Sequence, residues 1–197
     1  MDRQTIETYD KMTADYVAMV DMKKPSIQLA SFLSRLPSRA VLMDLGCGPG
    51  DAAFHMVQAG HSVDPVDASS AMVAAAKERF DLPARVATFD DLDVENAFDG
   101  IWASFSLLHA PLADLPRHLA AIRKALKSDG LFYIAMKTGN GEVRDQIGRM
   151  YSYISESDLT DLLEKTEFLP LEVWTGKEKG LAGNVDPWVA IQAKAIS

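Results

Sequence analysis

Apolar residues along the chain switch between a helical and a strand spacing, and that alternation predicts the fold before any motif is considered. Ile6, Tyr9, Met12, Tyr16, Met19 and Val20 share one helical face, which predicts a helix over 5–20. A basic break at Lys23-Lys24-Pro25 separates it from a second helix through Ile27, Leu29, Ala30, Phe32, Leu33 and Leu36. Pro37 stops that helix, because proline has no amide donor and clashes with the preceding turn. Ala40–Leu45 is a short apolar run broken only by Asp44, the pattern of a strand buried on both faces of a parallel sheet. A glycine loop follows, then a helix over 52–59 that ends at Gly60.

The strand–helix unit then repeats. His61–Val66 reads as a strand, with Pro65 inside it, where a missing N–H would leave a gap in a central ladder. Ser69 or Ser70 can cap a helix carrying Met72, Val73, Ala76 and Phe80. Arg85–Thr88 and 100–104 are short strands. Leu115, Leu119, Ile122 and Leu126 fall on one helical face, and Ser128-Asp129-Gly130 turns the chain into a strand over 131–137. Strands alternating with helices predict right-handed crossovers and a mostly parallel sheet. The order changes after that. A helix over 155–166 precedes strands at 169–175 and 187–195, joined by a turn with Gly180, Gly183 and Asn184. Two strands with no helix between them predict an antiparallel hairpin.

Composition narrows the class. With 197 residues, 48% hydrophobic and 24% charged, the chain is an ordinary globular domain with room for a substantial core. A net charge of −8 repels phosphate backbones and anionic lipid, so no nucleic acid and no membrane is expected as partner. The first residues are polar, and the longest uncharged run, Gly100–Ala113, is shorter than the roughly 20 residues that span a bilayer. A soluble, cytoplasmic protein is expected. The single cysteine, Cys47, excludes an internal disulfide and a CxxC metal site. His55, His61, His109 and His118 have no metal-ligand spacing, so no metal is expected; His55, His61 and His118 read as helix-surface or loop groups.

The chemistry concentrates at Asp44-Leu45-Gly46-Cys47-Gly48-Pro49-Gly50, where the first sheet strand feeds a helix. Glycines there permit positive φ and let a ligand approach the backbone. Asp67 ends the next strand, about 21 residues after Gly46, where a carboxylate can accept from ribose hydroxyls. Asp90 and Asp91 follow the third strand, where an oxygen can accept from an adenine amine. A dinucleotide fingerprint would need glycine at Asp51, and no phosphate-loop lysine follows. Asp44 and Asp51 flank the loop, which repels a pyrophosphate and favours a cationic ligand.

Val41–Gly50, Val66-Asp67-Ala68-Ser69 with Met72, Phe89-Asp90-Asp91-Leu92, the stretch from Phe98 to His109, and Gly130-Leu131-Phe132 together resemble the class I S-adenosylmethionine (SAM)-dependent methyltransferases, in their small-molecule branch. The resemblance implies an α/β fold: a doubly wound, Rossmann-like, mostly parallel seven-stranded sheet with an antiparallel C-terminal hairpin and an N-terminal helical lid. One domain is expected, with 1–37 as lid and substrate region, 38–137 as cofactor-binding core and 138–197 as cap helix and hairpin. Asp44, Gly46, Cys47, Gly48 and Gly50 would hold the methionine part, and Asp67 with Ala68 and Met72 the ribose side. Asp90, Asp91 and Leu92 would meet the adenine. Ser104 and Phe105 would line the methyl end, with Tyr16 or Tyr9 closing over it.

Methyl transfer is an in-line displacement in which positioning and water exclusion carry much of the rate. A base is needed only where the nucleophile must lose a proton, and His109, after the fourth strand, is the candidate. Tyr9, Tyr151 and Tyr153 are candidate substrate contacts, while Trp174 and Trp188 read as hairpin core. The expected reaction is methylation of an oxygen or nitrogen on a small-molecule acceptor by a monomer or homodimer. The rival readings are a nucleic-acid methyltransferase, whose Asn-Pro-Pro-Tyr-like motif is replaced here by Ser104-Phe105-Ser106-Leu107, a non-catalytic SAM-binding regulatory module, and a dinucleotide oxidoreductase.

Overall fold

A computed structural model describes residues 2–19 and 24–196. Val20 and Lys23, the expected helix end and the start of the basic break, lie outside the described residues. The elements run α1 (Arg3–Met19), α2 (Ile27–Ser34), β1 (Val41–Leu45), α3 (Asp51–Gln58), β2 (Ser62–Asp67), α4 (Ser70–Phe80), β3 (Arg85–Val86), β4 (Phe98–Ser104), α5 (Leu115–Ala125), β5 (Leu126–Lys137), β6 (Gly141–Arg144), β7 (Met150–Tyr153), α6 (Glu156–Lys165), β8 (Phe168–Lys179) and β9 (Val185–Ala195).

Seven strands form one sheet in the order β3-β2-β1-β4-β5-β9-β8. The first five are parallel, and β9 runs antiparallel to both β5 and β8. This is the expected mostly parallel seven-stranded sheet with its C-terminal hairpin. Strand order reverses between β1 and β4, and the crevice beyond the strand ends at such a switch point is where doubly wound sheets bind ligands. Each face of the sheet is covered. Leu119, Ile122, Leu159 and Leu163 of α5 and α6 pack with Phe132 and Phe168 on one side; Phe32, Ala53, Met56 and Ala76 of α2, α3 and α4 pack with Trp102 and Tyr133 on the other. No helix among the described residues is long and apolar enough to cross a membrane.

Four departures from the sequence pattern have physical causes. Pro65 does not break β2. Ser62 donates to Ala40 and Val66 accepts from Gly46, so even-numbered backbone groups address β1, and the missing N–H of Pro65 faces the other edge, which β3 reaches only at Arg85. The 128–130 turn is absorbed into β5: the strand starts at Leu126, the register with β4 shifts between Phe98 and Gly100, and Asp129 takes φ +64°. His118, expected on a helix surface, is buried edge-on against Phe89, because it falls three residues after Leu115 on the apolar stripe of α5. Residues 138–155 had no predicted element, yet they hold the small β6–β7 hairpin, whose turn closes at Gly148 with φ +95°.

Two features aim the fold at its crevice. The β8–β9 hairpin is longer than the apolar runs suggest, pairing as far as Lys179 with Val185, so it projects past Lys137, the last residue of β5. Helix α1 is kinked at Met12 (φ −107°, ψ 15°) and packs on α4.

A Cβ at Gly100 would lie 2.8 Å from the buried Phe32 ring and 3.1 Å from both Leu36 and Leu42. Gly100→Ala is expected to destabilise the fold by about 1–3 kcal/mol through overpacking between α2 and the sheet. A lower urea midpoint at unchanged m-value is the readout, and an unchanged midpoint refutes the tight seat assigned to α2.

Candidate functional site

The site begins where β1 turns into α3. Gly46, Gly48 and Gly50 take φ of +83°, +52° and +92°, a region costly to any residue with a Cβ. At Gly46 there is also no space, since a Cβ would sit 2.3 Å from that of Ser106. The loop is anchored from the neighbouring strand: Gly46 and Cys47 both donate to the Val66 carbonyl at 2.8 Å.

Asp67 ties this loop to the next helix. One carboxylate oxygen accepts from the Gly48 N–H and the other from the Ser69 N–H, each at 2.8 Å. Ser69 caps α4 by accepting from Met72 N–H at 3.1 Å, and its hydroxyl donates to Asp10 at 2.7 Å. Asp10 also accepts from the Ala71 N–H at 3.0 Å. Helix α1 is thereby docked on the start of α4, where negative charge is favoured, and this carries Tyr9 and Tyr16 over the glycine loop.

A cleft enclosing about 550 Å³ of empty space, open solvent included, lies under that lid. Of the sequence-predicted residues, Tyr9, Tyr16, Gly46, Gly48, Asp67, Ala68, Met72, Ser104, Phe105 and His109 line it. Leu45, Ala87, Phe89 and Ser106 also line it and were not foreseen. Asp44, Cys47 and Gly50 sit behind the wall rather than in it: Asp44 is buried beneath the loop, Cys47 packs in the core, and Gly50 faces Leu82 and Ala76. Asp90, Asp91 and Leu92 are not brought to the cavity either. Asp90 pairs with Arg117 at 2.6 Å, Asp91 accepts from Thr88 to close a turn, and Leu92 packs on the core. The aromatic neighbour Phe89 occupies the wall instead.

Two carboxyl groups gather here, Asp67 in the wall and Asp44 beneath it. Asp44 is almost wholly buried, and its Oδ2 has no hydrogen-bond partner. Burial first, and then the nearby Asp67 charge, push its carboxyl up to about 8. Burial also raises Asp67, against the opposing pull of its two N–H donors. Burial pushes the Cys47 thiol far up, which removes it as a nucleophile.

A second cleft, enclosing about 540 Å³ of empty space with open solvent included, shares Tyr9, Tyr16 and Phe105 with the first. Tyr151 lines it, as does Trp188, which was expected in the hairpin core. Tyr153 lines neither cavity; its ring rests against Gly139. Lys137, Arg149, Asp186 and the hairpin residues Glu178–Leu181 complete this wall. Arg149 had no motif to mark it, although its neighbour Tyr151 was flagged.

His109 lines the first cavity beside Tyr9, and both its ring nitrogens are occupied. Nδ1 is 2.7 Å from the Met150 carbonyl, which can only accept, so Nδ1 carries the proton and Nε2 accepts from the Tyr9 hydroxyl at 2.8 Å. The Tyr9 oxygen in turn accepts from Arg149 Nη1 at 3.1 Å. Burial, with Arg149 and Lys137 nearby, pulls His109 down to about 4, so the imidazole is neutral at physiological pH. No cluster of His, Cys, Asp and Glu placed to hold a metal occurs among the described residues.

Comparison with known proteins follows the same lines. A family described as a methyltransferase domain matches residues 42–130. The chain is 30% identical over 182 residues to trans-aconitate 2-methyltransferase of Delftia acidovorans, covering 81% of this chain and 65% of that protein. It is 25% identical over 136 residues to an uncharacterized methyltransferase of Staphylococcus carnosus, covering 66% of each. The chain thus spans just under two thirds of the length of these curated relatives. Among solved structures, a SAM-dependent methyltransferase of Methanosarcina mazei superposes with a TM-score of 0.75 at 16% identity, over 88% of this chain and 99% of that one. The 1,6-didemethyltoxoflavin-N1-methyltransferase of Burkholderia thailandensis, with 1,6-didemethyltoxoflavin and S-adenosylhomocysteine bound, gives 0.72 at 22% identity, over 100% of this chain and 92% of that one. At these identities the structural likeness is one of fold.

Because the folded, ligand-free protein holds a proton on Asp44 that the unfolded chain has already lost, its stability is expected to fall as pH rises from the ordinary carboxylate range through about 8. Thermal midpoints measured between about pH 5 and 8 should decline less steeply in Asp44→Asn than in the wild type, with Asp67 leaving a residual slope of the same sign. Identical slopes would show that Asp44 ionises as freely folded as unfolded.

Proposed function

We propose that the chain is a class I SAM-dependent methyltransferase and that it transfers a methyl group from SAM to a small-molecule acceptor. The observation that carries this reading is the meeting of two cavities at Tyr9, Tyr16 and Phe105, one walled by the glycine loop and Asp67, the other by Lys137, Arg149, Tyr151 and Trp188. The first suits SAM and the second the acceptor.

The residues present fit SAM in three ways. Gly46 and Gly48 line the cavity at positive φ and offer backbone to the methionine part. The unpartnered Asp44 oxygen and the Asp67 carboxylate favour a ligand bearing cations over one bearing phosphates. Asp67 uses one N–H on each oxygen and retains lone pairs for ribose hydroxyls. We assign the adenine to the apolar wall of Ala87 and Phe89, with Ala68 and Met72 beside the ribose, rather than to Asp90, Asp91 and Leu92. When bound, SAM supplies an electrophilic methyl on a positively charged sulfur.

The protein's own share is placement. Ser104 and Phe105 set the methyl end at the shared wall, and Tyr9 and Tyr16 close over it and exclude water. Of the two roles open to His109, base or holder of Tyr9, its hydrogen bonds favour the second.

Calorimetric titration with SAM, S-adenosylhomocysteine and NADH tests the donor site: the two adenosyl ligands should bind and NADH should not. Asp67→Ala should weaken both by about 1.5–3 kcal/mol for each hydroxyl bond lost. Unchanged affinity in the folded variant, or no binding of either adenosyl ligand, removes the assignment. Because the SAM sulfonium favours ionised Asp44, SAM is expected to release more protons near neutral pH than S-adenosylhomocysteine does. Titrations in buffers of differing ionisation heat read this directly, and equal release by the two ligands would place the sulfonium away from Asp44.

A further inference from the structure

The lid helix α1 is held by two separate parts of the fold. Asp10 fixes it to α4. The other grip belongs to the hairpin β6–β7 and its turn. Arg144 donates from both terminal nitrogens or their neighbours to Asp2, with two distances of 2.9 Å. The Thr5 hydroxyl accepts from the Met150 N–H at 2.8 Å, and that of Thr8 stands 3.2 Å from the Ile147 carbonyl. Tyr9 is reached by Arg149 at 3.1 Å. All of these anchors fall before the kink at Met12, so the hairpin grips the half of α1 that carries Tyr9.

The contact with Tyr9 differs from the rest, because its donor is buried and itself held. Arg149 is 2% exposed. One Asp145 oxygen takes its Nε at 3.0 Å and its Nη2 at 2.8 Å, while the other accepts the backbone N–H groups of Arg149 at 2.8 Å and Ile147 at 3.1 Å. A planar guanidinium held along one edge has a fixed direction for its remaining nitrogen, and Nη1 is aimed at the Tyr9 oxygen. From there the bonds run one way. Arg149 can only donate, so the Tyr9 oxygen accepts; Tyr9 gives its proton to His109 Nε2 at 2.8 Å; His109 Nδ1 gives its own to the Met150 carbonyl at 2.7 Å. The chain leaves the hairpin at Arg149 and returns to it at Met150, the next residue. Tyr9 is the member that the lid contributes, and with a lone pair and its proton both engaged the phenol is held against rotation and withdrawal. Arg149 lines the second cavity and not the first, whereas Tyr9 lines both.

We infer that Arg149 is a positioning residue of the donor site: it does not line the first cavity and acts there through the Tyr9 hydroxyl, with Asp145 fixing its aim. The inference rests on the reading of the first cavity as the methyl-donor site. It separates Arg149 from a residue that only stiffens the hairpin. Loss of a stiffening residue loosens the lid whether or not residue 9 carries a hydroxyl. Loss of a positioning residue costs donor affinity only while that hydroxyl is present.

The test is a double-mutant cycle on the full chain, read as S-adenosylhomocysteine affinity by calorimetry. Arg149→Lys keeps a cation beside Asp145 but lacks the fork that meets Asp145 and Tyr9 together. It should weaken binding by about tenfold, the scale of one hydrogen bond to a charged group. Tyr9→Phe should weaken it by a similar factor, and the Arg149→Lys, Tyr9→Phe double variant should bind no more weakly than Tyr9→Phe alone. In Arg149→Ala, millimolar guanidinium ion should restore affinity, and it should fail to do so once Tyr9 is also replaced by Phe. Where Arg149→Ala does not fold, the lysine variant decides. Wild-type affinity in folded Arg149→Lys, losses that add in the double variant, or guanidinium rescue that persists without the Tyr9 hydroxyl overturns the inference. Nitrogen NMR of histidine-labelled, ligand-free protein gives a readout that needs no donor. His109 Nε2 should move toward the position of a bare imine nitrogen in Arg149→Lys and in Tyr9→Phe alike, and an unmoved signal in Arg149→Lys overturns the hold on Tyr9. A wild type that binds no S-adenosylhomocysteine removes the donor reading and with it the role at the donor site, while the ligand-free signal still shows whether Arg149 sets Tyr9.

Discussion

The site depends on one carboxylate. Asp67 receives the Gly48 N–H on one oxygen and the Ser69 N–H on the other, so a single side chain sets the distance between the glycine loop and the start of α4. Both donors come from backbone whose conformation is otherwise loosely determined: a loop of positive-φ glycines and the first residue before a helix. The same junction then receives Asp10, through which α1 becomes a roof. Loop, helix and lid are thus held in register around a group that is itself strained by burial. A ligand hydroxyl offered to Asp67 would relieve part of that strain, which is one physical reason for a binding site to be built there.

Much of this was legible in the chain, because the decisive signals are local. Glycine spacing, an acid at a strand end, and a serine at a helix cap each follow from the conformation of a few neighbouring residues. The strand–helix alternation gave the parallel core in the same way. What could not be read depends on contacts distant in sequence. Pro65 looks like a defect until the direction of its missing N–H is known, and direction is set by which neighbour lies on which edge. The β6–β7 hairpin has no hydrophobic period to announce it; it forms because Met150, Tyr151 and Ser152 are drawn to Thr5, His109 and Ala110. His118 was a different kind of miss, since its place on the α5 stripe was visible in the periodicity.

The two cavities gather different ionisable groups although they share a wall. Beneath the loop, carboxylates crowd together with few partners; across Tyr9, cations are brought in and each is balanced by a carboxylate of its own. Low local polarity between them strengthens both fields. The tyrosine and histidine at the boundary titrate at neither end of the ordinary range, Tyr9 being pushed up by burial and His109 down. They act as a fixed partition whose protons stay where the hydrogen bonds put them.

That shared wall also divides the chain by how freely it can diverge. Tyr9, Tyr16 and Phe105 face both cavities, so any substitution there reshapes both at once. Lys137, Trp188 and the Glu178–Leu181 tip face only the second cavity, and the long β8–β9 hairpin presents most of them from outside the parallel core. A lineage of this architecture can therefore reshape the second cavity by rewriting a surface hairpin, while the lid is kept under double constraint.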